Sequence, residues 1–248
     1  MADIPPWRRN EKEIVSITDY NSVEEARAYD ERMCSVRNVA AENKYLLSLL
    51  SLPAGARVLE IGTGTGAFAR AASMAGLNVT ALDVSPVMLA YAKEKTAQEG
   101  WQERNGVFSR SAECMTGTIQ FVQDGFLSYS AGAKTFDAVV SSLCLHHLSD
   151  VWKAEACVNI WRWLKLNGKF VLVDVVYDCE GGQLDSYLSK YIPANMNESM
   201  KLALYGHIQK ENSTFEWIMR EILLHAGFLI HSVEPFGPIA HVFTCVKV

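Results

Sequence analysis

The stretch from Arg57 to Pro86, RVLEIGTGTGAFARAASMAGLNVTALDVSP, limits the possible folds more than any other part of the chain. A short β-branched run, RVLEI, meets three glycines at alternate positions, Gly62, Gly64 and Gly66. An Ala-rich helical segment follows over 67–75. A strand that passes into a helix through glycines is the opening unit of an open α/β sheet. The glycines let the backbone turn sharply and approach a ligand closely at the helix N-terminus. The next run, LNVTAL, leads to Asp83, and Ser85-Pro86 reads as an N-cap with proline at the first helical position. That helix reaches about Gln98.

The alternation continues with strands at TIQFVQ, FDAVVSS and KFVLVDVV. Asp150 is expected to cap a helix with the stripe Ala154, Cys157, Val158, Trp161 and Leu164, stopped by Asn167-Gly168. Residues 100–118 show no clear pattern. Before the first strand, Ser22-Val23-Glu24-Glu25 reads as a capping box opening a helix to Met33, and a second helix runs to Ser51. Residues 178–212 break the alternation and look helical. Ser213-Thr214-Phe215-Glu216 reads as another capping box, for a helix with Phe215, Ile218, Ile222 and Ala226 on one side. The runs FLIHSVEPF and IAHVFTCVKV are joined by Gly237-Pro238, which favours an antiparallel pair at one end of the sheet. Apolar strands alternating with helices imply a mostly parallel sheet covered on both faces.

Composition narrows the partners. The chain has 248 residues and a formal net charge of −5, and its densest basic cluster is Arg8, Arg9 and Lys12. Nucleic acid and anionic membrane are therefore not expected as main partners, because phosphate binding needs a concentrated positive face. The six cysteines, at 34, 114, 144, 157, 179 and 245, include no C-x-x-C pair. The start, MADIPPWRRN, has no apolar signal core, and FVLVDVV is short and interrupted by Asp174. A reduced, cytoplasmic protein without a membrane span is the expectation.

The loop spacing is G-x-G-x-G, not the G-x-G-x-x-G of dinucleotide sites, and Glu60 lies two residues before the first glycine. A carboxylate there repels a pyrophosphate and suits an ammonium or sulfonium. Asp83 stands where an acid accepts hydrogen bonds from ribose hydroxyls. A ligand with a ribose, a cationic amino-acid portion and no phosphate satisfies all three conditions, and S-adenosylmethionine is one.

VLEIGTGTG, ALDVSPVML, FVQDGFL, FDAVVSSLCLHHLSD and LKLNGKFVLVDV together resemble the ordered motifs of the class I S-adenosylmethionine-dependent methyltransferases, ubiquinone-biosynthesis type. The likeness covers roughly residues 55–176 and the last two strands. It implies a Rossmann-like, seven-stranded sheet of order 3-2-1-4-5-7-6 with strand seven antiparallel. It further implies an N-terminal helical segment, 1–52, over the cofactor site and a core, 53–248, with 178–212 as a substrate cap.

The resemblance also implies roles. Gly62, Gly64 and Gly66 line the methionine and ribose part, and Glu60 orients the amino group. Asp83 holds the ribose diol, with Met88 against the adenine. Asp124 accepts from the adenine amine, and Gly125 and Phe126 shape that end. Ser141 offers its backbone carbonyl to the ammonium, and Tyr29 covers the cofactor. His146 is the candidate catalytic residue, as a base or as a group that positions the acceptor; His147 is a weaker one. Of Tyr187, Tyr191, Met196, Met200, Tyr205 and His207, one or two are expected to face substrate.

The implied reaction is in-line methyl transfer to a small-molecule acceptor, leaving S-adenosylhomocysteine. Three alternatives stand beside it: a non-catalytic S-adenosylmethionine-binding protein, an NAD-dependent oxidoreductase, and an arsenite methyltransferase. The last would use Cys144 with Cys34 and Cys179, but the third cysteine expected near 195 is missing, since the chain reads Ala194-Asn195-Met196 there.

Overall fold

A computed structural model describes residues 10–11, 19–110, 116–192, 198–237 and 239–248. The cluster Arg8, Arg9 and Lys12, together with Cys114 and Met196, lies outside them. Helices α1 (Val23–Val36) and α2 (Val39–Leu50) precede β1 (Arg57–Ile61), α3 (Ala67–Met74), β2 (Asn78–Asp83) and α4 (Pro86–Gln98). A hairpin of β3 (Gln102–Arg104) and β4 (Val107–Ser109) leads to β5 (Ile119–Gln123) and β6 (Phe136–Ser142). A 3-10 turn, Leu145–His147, is followed by α5 (Asp150–Trp163), β7 (Leu164–Tyr177), α6 (Leu184–Tyr191) and α7 (Glu198–Lys210). The chain closes with β8 (Thr214–Phe215), α8 (Glu216–His225), β9 (Phe228–Pro235) and β10 (Ala240–Lys247).

The sheet runs β3-β4-β5-β2-β1-β6-β7-β10-β9. β5, β2, β1, β6 and β7 are mutually parallel, and β10 is antiparallel to both β7 and β9. Seven of these strands reproduce the expected order, with the antiparallel strand in its place. The β3–β4 hairpin extends the edge beyond it. Asn105 and Gly106 carry its turn at φ 52 and 79. Positive φ at both central residues is the type I′ geometry that Asn-Gly adopts best.

Strand alternation sends neighbouring residues to opposite faces. Leu59, Ile61, Leu82 and Val139 pack beneath Ile160, Trp163, Met219 and Leu223. Val58, Ala81, Val140 and Val171 pack beneath Leu46, Leu50, Ala69 and Leu89. Each buried Val, Leu, Ile or Met side chain among them contributes roughly 1.5–3 kcal/mol by leaving water. Lys169 Nζ also donates to the carbonyls of Leu49 (3.1 Å) and Leu50 (2.8 Å), closing the end of α2. Among the described residues, no helix is long and apolar enough to cross a membrane.

The expectations for two helices, α5 and α8, are corrected. The cap of α5 is Ser149, without a side-chain bond, and the buried face is Lys153, Ala156, Cys157, Ile160 and Trp163. Asp150 instead receives Lys153 Nζ (2.8 Å) and Thr214 Oγ1 (3.0 Å). That pairing allows a charged residue to face inward and sets the helix phase. The helix stops at Trp163, and Asn167 bends the following strand at φ 61 instead of ending the helix. Ser213 does not cap α8, because Thr214 and Phe215 pair with Val176 and Tyr177 as β8. The buried residues of α8 are Met219 and Leu223, with Ile222 and Ala226 at their flank. The Ser22 cap forms as expected, its hydroxyl accepting the Glu25 N–H at 3.2 Å.

The lead into β5 tolerates no side chain. A Cβ at Gly117 would lie 1.8 Å from the Leu77 carbonyl oxygen. Gly117→Ala is expected to cost about 3 kcal/mol, because backbone must move to admit the methyl. A urea midpoint equal to wild type would refute this packing.

Candidate active site

The C-terminal ends of β1, β2, β5 and β6 meet around the glycine loop, where open α/β sheets bind ligands. Gly62, Gly64 and Gly66 sit at φ 81, 53 and 77, which residues with a Cβ rarely adopt. The N–H groups of Gly62 and Thr63 both donate to the Leu82 carbonyl, at 2.9 and 2.8 Å, and so strap the loop to β2. Asp83 completes the strap. Its Oδ2 accepts the Gly64 N–H at 2.8 Å, and its Oδ1 accepts the Ser85 N–H at 2.9 Å. Each carboxylate oxygen keeps acceptor capacity for a further donor.

Glu60 lies beside this loop, only 6% exposed. Its Oε2 accepts the Thr63 hydroxyl at 2.7 Å. Burial pushes its carboxyl up to about 7, the Thr63 bond opposing and the Asp83 charge reinforcing the shift. Burial also raises Asp83. Two desolvated carboxylates, at the ends of β1 and β2 beside one loop, form a site that gains from a cation.

The glycines differ in what surrounds them. A Cβ at Gly64 would meet nothing within 4 Å, so a ligand can reach the backbone there. At Gly62 it would lie 2.4 Å from Cys144 Sγ. Gly62→Ala is expected to lower stability by about 3 kcal/mol, from the positive φ and the clash together. Cys144→Ala in the same chain should recover only the clash share, so thermal melts of the two variants separate the causes. Equal melts for wild type and Gly62→Ala would contradict the arrangement.

Asp124, Gly125 and Phe126 follow β5 directly. The Asp124 N–H donates to the Asp83 carbonyl at 3.1 Å, bringing this turn beside the loop. Phe126 is buried, and so is Met88, whose N–H donates to the capping Ser85 hydroxyl. Ser141 lies inside β6, and its hydroxyl donates to the Ile61 carbonyl at 3.0 Å. Glu11 was not apparent as a site residue from its sequence context. It is buried at the same turn, accepting the Ser128 N–H at 2.8 Å and the Leu127 N–H at 2.5 Å. A Cβ at Gly125 would meet its Oε2 at 2.6 Å.

Helix α1 reaches the loop from above. Asp30 accepts the Thr65 hydroxyl at 2.6 Å and pairs with Lys95 of α4. Tyr29 is largely removed from water, which raises its hydroxyl, and the Asp83 charge adds to the shift. Its ring stands edge-on to Tyr20 at 6.2 Å, and Tyr20 stands edge-on to His147 at 6.0 Å.

The turn after β6 carries His146 and His147. His146 Nδ1 is 2.5 Å from Asp174 Oδ1 of β7, and Nε2 is 3.2 Å from Glu211 Oε2 just beyond α7. Burial pulls the imidazole down, but the Asp174 charge and the bonds to Asp174 and Glu211 outweigh it and push it up to about 9. Both ring nitrogens are engaged, so this geometry orients the ring and does not leave it free to abstract a proton. His147 is held down to about 4 by burial first and the His146 charge second.

Comparison with known proteins bears on what such a site holds. The sequence model of the methyltransferase-domain family matches residues 59–172, the segment with the glycine loop, Asp83, Asp124 and the His-His turn. An uncharacterized methyltransferase of Alkaliphilus oremlandii is 25% identical over 84% of this chain and 83% of its own length. Residues 59–172 thus carry a methyltransferase domain, and these likenesses support the class I S-adenosylmethionine-dependent family. S-adenosylmethionine is the cofactor. A malonyl-[acyl-carrier protein] O-methyltransferase of Pectobacterium atrosepticum is 44% identical over 32% of this chain and 30% of that protein. A solved methyltransferase from Aquifex aeolicus superposes with a TM-score of 0.62 at 16% identity, over 92% of this chain and 99% of that one. Two further uncharacterized relatives, from Geobacillus and Bacillus subtilis, are matched over only 60% and 54% of their lengths.

The notch open at Gly64, with the Glu60 and Asp83 carboxylates beside it, has the room and the charge to admit a cationic cofactor without a phosphate. The cysteines are dispersed: Cys34 is exposed on α1, Cys144 backs Gly62, and Cys179 packs in the patch around Tyr177 and Tyr187. Among the described residues no three cysteines converge, as arsenic ligation requires. Within the cap, Tyr187 is buried against Tyr177 and Tyr191, whereas Tyr205 is exposed.

Proposed function

We propose that this methyltransferase transfers the methyl group to a small-molecule acceptor held between the glycine notch and the cap built by α6 and α7. The carrying observation is the pair Glu60 and Asp83 on either side of a notch open at Gly64. Glu60 takes the amino group, and the free lone pairs of Asp83 take the ribose hydroxyls. Gly62, Gly64 and Gly66 give backbone clearance. Met88, Asp124, Gly125 and Phe126 form the adenine end, Ser141 backs the amino-acid end, and Tyr29 closes the top. The 1–52 segment and the 178–212 insert act as covers on two sides.

Bound S-adenosylmethionine would supply an electrophilic sulfonium methyl, whose carbon an acceptor lone pair would attack in line as the S–CH3 bond breaks and S-adenosylhomocysteine leaves. The chain contributes alignment and exclusion of water. His146, fixed by Asp174 and Glu211, positions the acceptor. A cap whose Tyr187 and Tyr191 join Tyr177 in one cluster favours a small, partly apolar acceptor over a folded macromolecule. The test is incubation of the purified protein and methyl-labelled cofactor with fractionated cell extract. Label should accumulate in the small-molecule fraction, and label found only in RNA or protein would overturn the acceptor class.

A further inference from the structure

We propose that His146, His147 and Glu211 form a binding site for one divalent first-row transition metal ion of the Zn²⁺ class, on the acceptor side of the crevice. Among the described residues, this is the only set of three His, Cys, Asp or Glu side chains whose ligand atoms lie within 4.8 Å of one another. His146 Nε2 is 3.2 Å from Glu211 Oε2, and His147 Nδ1 is 3.9 Å from Glu211 Oε1. Tetrahedral ligands at zinc–nitrogen and zinc–oxygen bond lengths stand about 3.3 Å apart. The His146–Glu211 pair already stands at that spacing, and the His147 ring has to move closer to Glu211.

The surroundings of the three groups are those of a built site. Asp174 is 1% exposed, and its Oδ1 receives the Val175 N–H at 2.9 Å as well as His146 Nδ1. With Asp174 holding Nδ1, an arriving ion displaces the proton that Nε2 shares with Glu211 and takes that nitrogen's lone pair. Asp174 Oδ2 is buried with no hydrogen-bond donor, so the cluster is short of positive charge. His207 Nδ1 lies 2.5 Å from Glu211 Oε2, and its Nε2 meets Ser213 Oγ at 2.8 Å. His207 is thus a positioning residue for the Glu211 carboxylate. The Asn212 N–H donates to the His146 carbonyl at 2.8 Å and its side chain donates to the His147 carbonyl at 3.3 Å. The turn with the histidines and the segment with Glu211 are therefore fixed to each other.

Two imidazoles and one carboxylate form a borderline donor set, suited to Zn²⁺ or Co²⁺ and poorly matched to Mg²⁺ or Ca²⁺, which prefer all-oxygen shells. Three protein ligands leave a position open. The ligand class for that position is an oxygen donor: a hydroxyl, phenolate or carboxylate of the acceptor. The same ion would pin the cap to the turn after β6. Metal binding is independent of the methyl-transfer reading and is measured without cofactor.

The test uses the full chain, freed of metal by a chelator and titrated with Co²⁺, Zn²⁺ and Mg²⁺. One equivalent of Co²⁺ should bind with visible d–d absorption, Zn²⁺ should displace it, and Mg²⁺ should do neither. Glu211→Gln and His147→Ala should each weaken Zn²⁺ binding by at least about 100-fold, and Asp174→Asn by roughly 10–100-fold. His225→Ala, altering an exposed histidine on α8, should leave binding unchanged. X-ray absorption on the wild-type zinc complex should find nitrogen and oxygen neighbours and no sulfur, a readout that does not need the variants to fold. Absence of saturable binding, a sulfur-containing shell, or wild-type affinity in folded Glu211→Gln and His147→Ala would each overturn the site.

Discussion

Asp83→Ala is expected to raise the dissociation constant for S-adenosylmethionine by roughly 10²–10⁴-fold. Two ribose hydroxyls lose a charged acceptor worth about 1.5–3 kcal/mol each, and every 1.4 kcal/mol is about tenfold. Asp83 also accepts the N–H groups of Gly64 and Ser85, so the same change unties the glycine loop from β2. The thermal midpoint without cofactor should therefore fall as well. Asp83→Asn keeps one acceptor oxygen and the shape, and should lie between wild type and Asp83→Ala in both measurements. Calorimetric titration and melts on the three proteins check this. Wild-type affinity in Asp83→Ala would remove the ribose assignment.

Glu60→Gln is expected to have opposite effects on stability and on binding. The Glu60 carboxyl rises from 4.5 to about 7 in the fold, chiefly by burial. A raised acid means the folded protein holds a proton that the unfolded chain has released between those two values. Stability is fully present below the lower value and declines as pH rises through the window, by about 3 kcal/mol in all. Glu60→Gln lacks this decline, so at pH 8 the cofactor-free variant should melt higher than wild type. Binding of a cation demands the ionised form. Wild-type affinity for S-adenosylmethionine should therefore weaken about tenfold per pH unit below 7, while the weak affinity of Glu60→Gln stays flat. The charged neighbours of Glu60 are Asp83, which reinforces the shift, and Arg70, which opposes it. Parallel pH profiles in the two proteins would show that Glu60 does not face the cationic end.

The geometry of the glycine loop is legible in the sequence because its constraints are local. Gly62, Gly64 and Gly66 need positive φ, and Glu60 and Asp83 sit at the ends of strands whose apolar runs are unmistakable. The acceptor half is assembled from segments far apart in sequence. Asp174 showed only as an interruption in an apolar run, and Glu211 carried no local signal, yet they meet across His146. Glu11 reaches the turn at Leu127 and Ser128 across more than a hundred residues, which no periodicity reports. The expected stripe of α5 omits Lys153, whose charge is received inside the protein by Asp150 and the Asn212 carbonyl, an arrangement that apolar periodicity does not report. The β3–β4 hairpin had its signal in Asn105-Gly106, but β3 is exposed throughout and offers no alternation to support it.

The structure of the protein in complex with S-adenosylhomocysteine tests the central claim most directly. The account predicts both ribose hydroxyls on the Asp83 carboxylate, the amino group within hydrogen-bond reach of Glu60, and the backbone of Gly64 against the ligand. A ligand bound elsewhere, or a diphosphate seated on the Gly62–Gly66 loop when NAD is offered in competition, would contradict it.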